Sequence, residues 1–147
     1  MLESYPHLVT DLLRVACVQM TSGPDKAANL EKAEPLVGRA ASTGADVVVL
    51  PEKWNAIGDS EVLHAAAEPL DGGESVAAMA EWSKRHGVTL VGGSITERRE
   101  GREKLSNTSL LFDADGAIVA TYRNGLITHF KDYGEKELAL EAARLSK

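Results

Sequence analysis

Apolar residues in this chain fall into short runs separated by segments of helical periodicity. Residues 12–20 and 47–50 are nearly continuous runs of aliphatic and β-branched side chains, a pattern typical of strands buried within a sheet. Residues 88–98 predict a third strand. Two more strands, Ser106–Phe112 and 117–123, flank the turn sequence DADG, whose glycine accepts a positive φ, so we expect them to pair antiparallel.

Two helices are predicted between these strands. The first begins at Pro24 and ends at Gly44, with apolar residues spaced three and four apart. Pro35 lies inside it and removes a backbone hydrogen bond, so we expect a kink or a division into two short helices. The second helix covers about Glu74–His86 and stops at Gly87. The first strand, helix and second strand form one unit, predicted to be parallel and right-handed.

Composition and charge narrow the class of protein. The 147 residues are 44% hydrophobic and 26% charged, which is enough for one domain with its own core. A net charge of −6 disfavours nucleic acid as a partner. The longest apolar runs fall far short of the roughly 20 residues that a membrane-spanning helix needs, so no membrane partner is expected. The first ten residues lack a signal-peptide pattern and Cys17 has no disulfide partner, which together predict a cytoplasmic protein.

Glu52 is the first candidate for chemistry. It comes directly after Pro51 and the strand at residues 47–50, and open α/β sheets place ligands at the carboxyl ends of their strands. A glutamate in a partly dry site suits proton transfer. Trp54 is a candidate wall of a substrate pocket beside it. The alternative is that Glu52 solvates a loop or caps the turn that follows.

Five segments of the chain resemble the carbon–nitrogen hydrolase (nitrilase) superfamily. They are VACVQM, NLEKA, GADVVVLPEKW, VTLVGGSITER and KLSNTSLLFDADGAIVATYR, in that order, over about residues 13–123. The resemblance implies an α/β fold, an α-β-β-α sandwich, here incomplete at about half the family domain. It also implies that sandwiches join in pairs, so a homo-oligomer is expected. The predicted organisation is a partial carbon–nitrogen hydrolase domain at 12–123 and a divergent, helical tail at 124–147.

The resemblance further implies a mechanism that uses a glutamate, a lysine and a cysteine. In the family the cysteine attacks an amide or nitrile carbon, the glutamate is the general base and the lysine stabilises the tetrahedral intermediate. Glu52 in LPEKW matches the glutamate. The implied substrate is a small amide, nitrile or carbamoyl compound with a non-peptide C–N bond, and LPEKWN favours the amidase-like members. No cofactor or metal is implied, and the four histidines have no metal-ligand spacing.

The other two members of this triad have no match. The family lysine follows a tyrosine–arginine pair, present here as Tyr122 and Arg123, but the next residue is Asn124. Asparagine carries no positive charge to stabilise an oxyanion. Lys131 is a weak substitute, because the sequence around it no longer matches the family. The family cysteine belongs to a later motif, which this chain is expected not to reach.

Cys17 is the only thiol, and it lies within the first predicted strand between Ala16 and Val18. A thiol buried among apolar side chains reacts slowly, so Cys17 is predicted to be a protected core residue and not a nucleophile. GGSI, with Ser94, faintly resembles the serine-rich stretch of a different amidase family, but the further serines and the lysine of that family have no match here. A close approach of two backbone segments is the better explanation of Gly92 and Gly93.

Two hypotheses for function remain open. One is a truncated carbon–nitrogen hydrolase that keeps only its general base, through a frameshift or as a genuine short paralogue. The other is a non-catalytic protein that binds a small molecule or pairs with a full-length relative. In either case the chain as given is predicted to hydrolyse nothing at enzyme-like rates. Asn107, Thr108 and Ser109 belong to a family strand motif and are assigned to strand pairing rather than to ligand contact.

Overall fold

A computed structural model describes residues 12–124 and 126–130, which form a mixed sheet with helices packed against it. The seven strands are β1 (Val15–Cys17), β2 (Val47–Val49), β3 (Thr89–Val91), β4 (Ile95–Glu97), β5 (Ser106–Phe112), β6 (Ile118–Arg123) and β7 (Leu126–Phe130). The helices are α1 (Lys26–Ser42), α2 (Ser60–Ala66) and α3 (Glu74–His86). The α/β class predicted from the sequence is confirmed.

The strand order is β1-β2-β3-β5-β6-β7, and β4 pairs with β5 off this path. The first three strands are parallel, and Ala16, Val48 and Leu90 lie side by side across them. The later pairs are antiparallel, as predicted for β5 and β6. The strand–helix–strand unit expected from the start of the chain therefore forms one end of the sheet.

The core lies between the sheet and helices α1 and α3. Val48, Leu90 and Phe112 are fully buried on the helix side of the sheet, where they join Val37 of α1 and Met79 of α3 in one apolar cluster. Burying each large apolar side chain contributes roughly 1.5–3 kcal/mol, so this cluster is the main source of stability. The opposite side of the sheet, here called the open face, carries the alternate residues of each strand.

Helix α1 is one helix of 17 residues with Pro35 inside it, so the division into two short helices, one of the two outcomes expected, does not occur. Pro35 is exposed, and water can bond the carbonyl that the missing N–H leaves free. The helix begins slightly later than predicted, because Asp25 is its N-cap and accepts a hydrogen bond from the Ala28 N–H at 3.1 Å. Helix α3 has the predicted bounds and ends at Gly87, whose φ is 62°.

The prediction that the first strand is buried on both faces is wrong. β1 has three residues and lies at an edge of the described sheet, with Val15 and Cys17 both exposed. Its middle residue, Ala16, is half-buried against the core. An edge strand has one neighbour instead of two, which leaves Cys17 exposed. Cys17 is therefore not a core residue.

The third predicted strand is two strands, because residues 92–94 form a bend between β3 and β4. Gly93 has a φ of 57°, and a Cβ there would lie 1.9 Å from the carbonyl oxygen of Pro51. The expected close approach of two backbone segments is thus confirmed. It turns the chain away from β3, so that β4 pairs with the beginning of β5.

Strand β7 was not predicted. Leu126–Phe130 adds to the sheet beside β6, within the segment assigned to a divergent tail. Residues 131–147, with Lys131 and the predicted tail helix, lie outside the described residues, and the domain boundary at residue 123 stays a prediction. None of the helices in the described part of the chain has the length and apolar character to cross a membrane.

Candidate active site

Glu52 lies in a turn that continues from the carboxyl end of β2. The chain stays hydrogen-bonded to β3 just past the strand, because the Leu50 N–H donates to the Val91 carbonyl at 2.9 Å. Lys53 then adopts a φ of 49°, which is uncommon for a residue other than glycine. The Lys53 N–H donates to Ser94 Oγ at 3.0 Å, so the bend after β3 holds this turn in place. Glu52 is presented to solvent from that turn.

Trp54 supports the same turn from inside the protein. It is fully buried, and its indole N–H donates to the carbonyl of Gly92 at 2.9 Å. Its ring centroid lies 5.7 Å from that of Trp82 on α3, with the planes tilted by 51°. Trp54 is not among the residues that line the cleft beside Glu52. A role in substrate contact stays a prediction, while its packing against the bend is clear.

A cleft of about 390 Å³ opens beside Glu52. Its lining comes from the turn after β2, the bend after β3, strand β5 and the end of β6: Glu52, Gly93, Ser94, Asn107, Ser109, Tyr122 and Asn124. Asn107 and Ser109 share one side of β5 because they are two residues apart, and Ser109 pairs with Tyr122 across β6. Asn107 and Ser109 were predicted from the sequence to serve strand pairing, and the structure shows that they also line the cleft.

Hydrogen bonds join the two sides of this cleft. Asn107 Nδ2 donates to Glu52 Oε1 at 3.1 Å. The backbone N–H of Asn107 donates to Asn124 Oδ1 at 3.1 Å, and Asn124 Nδ2 donates to Ser106 Oγ at 3.3 Å. Asn124 has a φ of 47°, a conformation that asparagine tolerates better than most residues. The side chain of Glu52 is thus oriented from β5, and that of Asn124 closes the end of the cleft.

Comparison with known proteins identifies this arrangement. A sequence model described as "Carbon-nitrogen hydrolase" matches residues 14–139. The chain belongs to the carbon–nitrogen hydrolase family. The match extends past residue 123, where the resemblance visible in the sequence ends, and it includes β7.

Relatives in this family are only partly covered by the chain. The omega-amidase NIT2 of Danio rerio is 43% identical over 110 residues, which are 75% of this chain and 39% of that protein. The chloroplastic omega-amidase of Arabidopsis thaliana is 37% identical over 113 residues, with 74% and 30% covered. The crystal structure of Saccharomyces cerevisiae Nit3, a member of branch 10 of the nitrilase superfamily, matches with a TM-score of 0.69 and 31% identity, over 76% of this chain and 43% of that one. The chain spans less than half the length of each.

The cleft at Glu52 is lined by one charged side chain. Glu52 is the only ionisable carboxylate among its lining residues, and no lysine or arginine is among them. Asn124 follows Tyr122 and Arg123 directly and presents a neutral amide. Because a carboxylate repels a like charge at short range, this lining disfavours an anionic ligand.

Cys17 is not among the residues that line this cleft. It pairs with Val49, the last residue of β2. β3 and β2 separate β1 from β5, which carries Asn107 and Ser109. That Cys17 is not a nucleophile stays a prediction. In the described part of the chain, no three histidine, cysteine, aspartate or glutamate side chains are grouped to hold a metal ion.

Proposed function

We propose that the cleft beside Glu52 is the general-base part of a carbon–nitrogen hydrolase site and that it binds a small, neutral, linear amide. The observation that carries this proposal is the hydrogen bond from Asn107 Nδ2 to Glu52 Oε1. It leaves Glu52 Oε2 without a hydrogen-bond partner among the described residues. A carboxylate oxygen in that position can accept a proton from a nucleophile or a hydrogen bond from a substrate amide.

The rest of the lining suits an amide as ligand. Hydroxyls of Ser94, Ser109 and Tyr122 can donate to a carbonyl oxygen or accept from an N–H. Ser94 Oγ already accepts from the Lys53 N–H, which leaves its own hydrogen to donate. A volume of about 390 Å³ is at the lower end of the range for small-molecule sites, so a substrate of few heavy atoms fits best.

The complete family reaction needs groups that this cleft does not supply. A thiolate must attack the amide carbon, the C–N bond must break with release of ammonia, and water must then release the acid. Glu52 supplies the base, whereas Cys17 is not among the lining residues and Asn124 is neutral. We therefore expect the chain as given to bind a small amide without enzyme-like turnover.

A second candidate function is pairing with a full-length relative without catalysis. The observation that favours it is the open face, where Val15 is 53%, Tyr122 51% and Ile127 69% exposed. Exposed apolar patches of this kind mark protein interaction sites. The two functions are compatible, because the cleft opens beside only one part of that face.

Binding of propionamide to the full chain tests the first function. We expect perturbed ¹⁵N–¹H signals of the Asn107 side chain on titration, and weaker binding in Glu52→Gln. Glu103→Gln is the matched control, since Glu103 is an exposed glutamate outside the cleft. Ammonia release is measured in parallel. Failure of the wild-type chain to bind propionamide, or equal affinity in Glu52→Gln, overturns the proposal, and turnover lost in Glu52→Gln overturns the expected lack of catalysis.

A further inference from the structure

A buried cluster of polar groups lies on the helix side of the sheet, behind the cleft. Glu97 is 4% exposed and accepts three hydrogen bonds. Thr108 Oγ1 donates to Glu97 Oε2 at 2.6 Å, Arg123 Nε donates to the same oxygen at 2.5 Å, and Arg123 Nη2 donates to Glu97 Oε1 at 2.8 Å. These three residues are called the Glu97 cluster. A guanidinium bound to both oxygens of one carboxylate is a strongly directional contact.

The Glu97 cluster connects strands that do not all pair with one another. Glu97 is on β4, Thr108 on β5 and Arg123 on β6, while β4 and β6 each pair with β5. Arg123 Nη1 also donates to Thr128 Oγ1 on β7 at 3.0 Å. The Arg123 guanidinium therefore bonds side chains on two strands besides its own, β4 and β7, and Glu97 links it to Thr108 on β5. These side-chain contacts are independent of the backbone hydrogen bonds of the sheet.

The neighbours of the Glu97 cluster along the chain line the cleft. Thr108 lies between Asn107 and Ser109, and Arg123 lies between Tyr122 and Asn124. These four neighbours are four of the seven residues that line the cleft. Consecutive residues of a strand point to opposite sides of the sheet, so fixing Thr108 and Arg123 on one side fixes Asn107, Ser109 and Tyr122 on the other. Asn124 follows the end of β6 and is held by its hydrogen bond from the Asn107 N–H.

We propose that Glu97, Thr108 and Arg123 are positioning residues for the cleft at Glu52. They set β5 and β6 so that Asn107 reaches Glu52 Oε1 and Asn124 reaches the Asn107 N–H. Buried ion pairs add little net stability, because the cost of desolvation offsets their attraction. Their fixed geometry is the property that serves the site. The role in ligand binding rests on the proposed function, whereas the role in orienting Asn107 does not.

Two substitutions separate this role from general packing. Arg123→Lys keeps the charge but removes the bidentate contact, and Thr108→Val keeps the volume but removes the hydroxyl. We expect both variants to shift the ¹⁵N–¹H signals of the Asn107 side chain and to weaken propionamide binding about tenfold, since small misplacements in a site have effects of this size. Thr108→Ser keeps the hydroxyl and should restore both readouts. Arg85→Lys is the control, because Arg85 bonds Glu34 and Glu81 at the surface, away from the cleft.

The outcomes distinguish the alternatives. Folded Thr108→Val and Arg123→Lys variants with wild-type Asn107 signals overturn the proposal. An equal change in Thr108→Ser and Thr108→Val also overturns it, since packing and not the hydroxyl would then be responsible. If Arg123→Lys fails to fold, the two Thr108 variants decide. If the wild-type chain binds no propionamide, the proposed function fails, and the Asn107 signals still decide whether the Glu97 cluster orients the site.

Discussion

Asn107 donates a hydrogen bond from its side-chain amide to Oε1 of Glu52 at 3.1 Å, although 55 positions separate the two residues in the chain. Glu52 arrives from the parallel part of the sheet and Asn107 from the antiparallel part. The contact therefore depends on how the bend at Gly93 brings β5 and the turn after β2 together. It is the link on which the candidate site depends, since it orients the one carboxylate of the cleft.

Replacing this donor by a carboxylate should open the cleft. In Asn107→Asp, two carboxylates face each other where a hydrogen bond stood, and both positions are exposed, so salt in the solvent screens their repulsion. We expect propionamide binding to be lost at pH 7 and the free energy of unfolding to fall by up to about 1 kcal/mol at low salt, with a smaller loss at high salt. Urea unfolding at low and at high salt measures this. Asn107→Ala removes the donor without adding charge, and an equal loss of stability there would contradict the electrostatic explanation.

Gly93→Ala should be one of the most damaging single substitutions in the chain. Its φ is 57°, and the new Cβ would lie 1.9 Å from the Pro51 carbonyl oxygen, so the turn that carries Glu52 must move. We expect a loss of at least about 2 kcal/mol in the free energy of unfolding. Gly72→Ala is the matched control, because Gly72 has a φ of 78° but no atom within 4 Å of the added Cβ. Similar losses in the two variants would show that backbone strain alone, and not the contact, is responsible.

The ion pair of Lys26 predicts a pH-dependent contribution to stability. Burial lowers the pKa of Lys26, but the hydrogen bonds and charges of Glu68 and Glu74 outweigh this effect, and the pKa is raised above its ordinary value. A raised pKa in the folded state stabilises the protein below the unfolded-state pKa of about 10.4, and this stability is lost as the pH rises through the folded-state value. The difference in free energy of unfolding between wild type and Lys26→Met should therefore be present at pH 8 and shrink above about pH 10.4.

Lys104→Met is the control for that experiment, since Lys104 is exposed and has no ion pair among the described residues. Its effect on stability should be small and similar at both pH values. A Lys26→Met difference that stays constant up to pH 11 would show that packing of the lysine side chain, and not its charge, contributes the stability.

Because Cys17 is exposed, we expect its thiol to react readily, whereas its apolar neighbours in the sequence predicted a slow reaction. Cys17 is on the edge strand β1 and is accessible in the folded protein. We expect a thiol reagent to label it in the native state within about tenfold of its rate in denaturant, because accessibility is a main control of thiol reactivity. Cys17→Ser should leave propionamide binding unchanged, since Cys17 is outside the cleft. Strong native-state protection would place another segment over β1.

Local signals in the sequence account for the parts of the fold that were predicted well. The bounds of helix α3 were predicted correctly because Gly87 ends the helix in a left-handed conformation. The bounds of β5 were predicted correctly because DADG makes the turn that follows the strand. The exposure of Cys17 could not be predicted, since it depends on which strands lie beside β1. The bend at residues 92–94 is enforced by the Pro51 carbonyl, a contact that no local pattern records.

The candidate site was predictable only in part for the same reason. Glu52 could be found because it follows a buried strand directly, and the ends of such strands meet at one edge of the sheet. Asn107 and Ser109 looked like ordinary strand residues, and their place in the cleft follows from the register between β5 and β6. β7 is a five-residue strand in a segment where the resemblance to the family had ended, so nothing local distinguished it.

The open face of the sheet predicts self-association of the chain. Val15, Tyr122 and Ile127 are each more than half exposed on it, and half-buried Val91 and Leu111 lie between them. None of these residues is charged, and β1 and β7 at the two edges of the described sheet can pair with further strands. We expect size-exclusion chromatography with light scattering to show dimers or larger species at micromolar concentration.

Two substitutions on β7 test whether the open face is responsible. Ile127→Lys places a charge on the open face and should shift the distribution toward monomer. Leu126→Lys should have less effect, because successive strand residues point to opposite sides of the sheet. A monodisperse wild-type monomer would mean that residues outside the described ranges cover the open face.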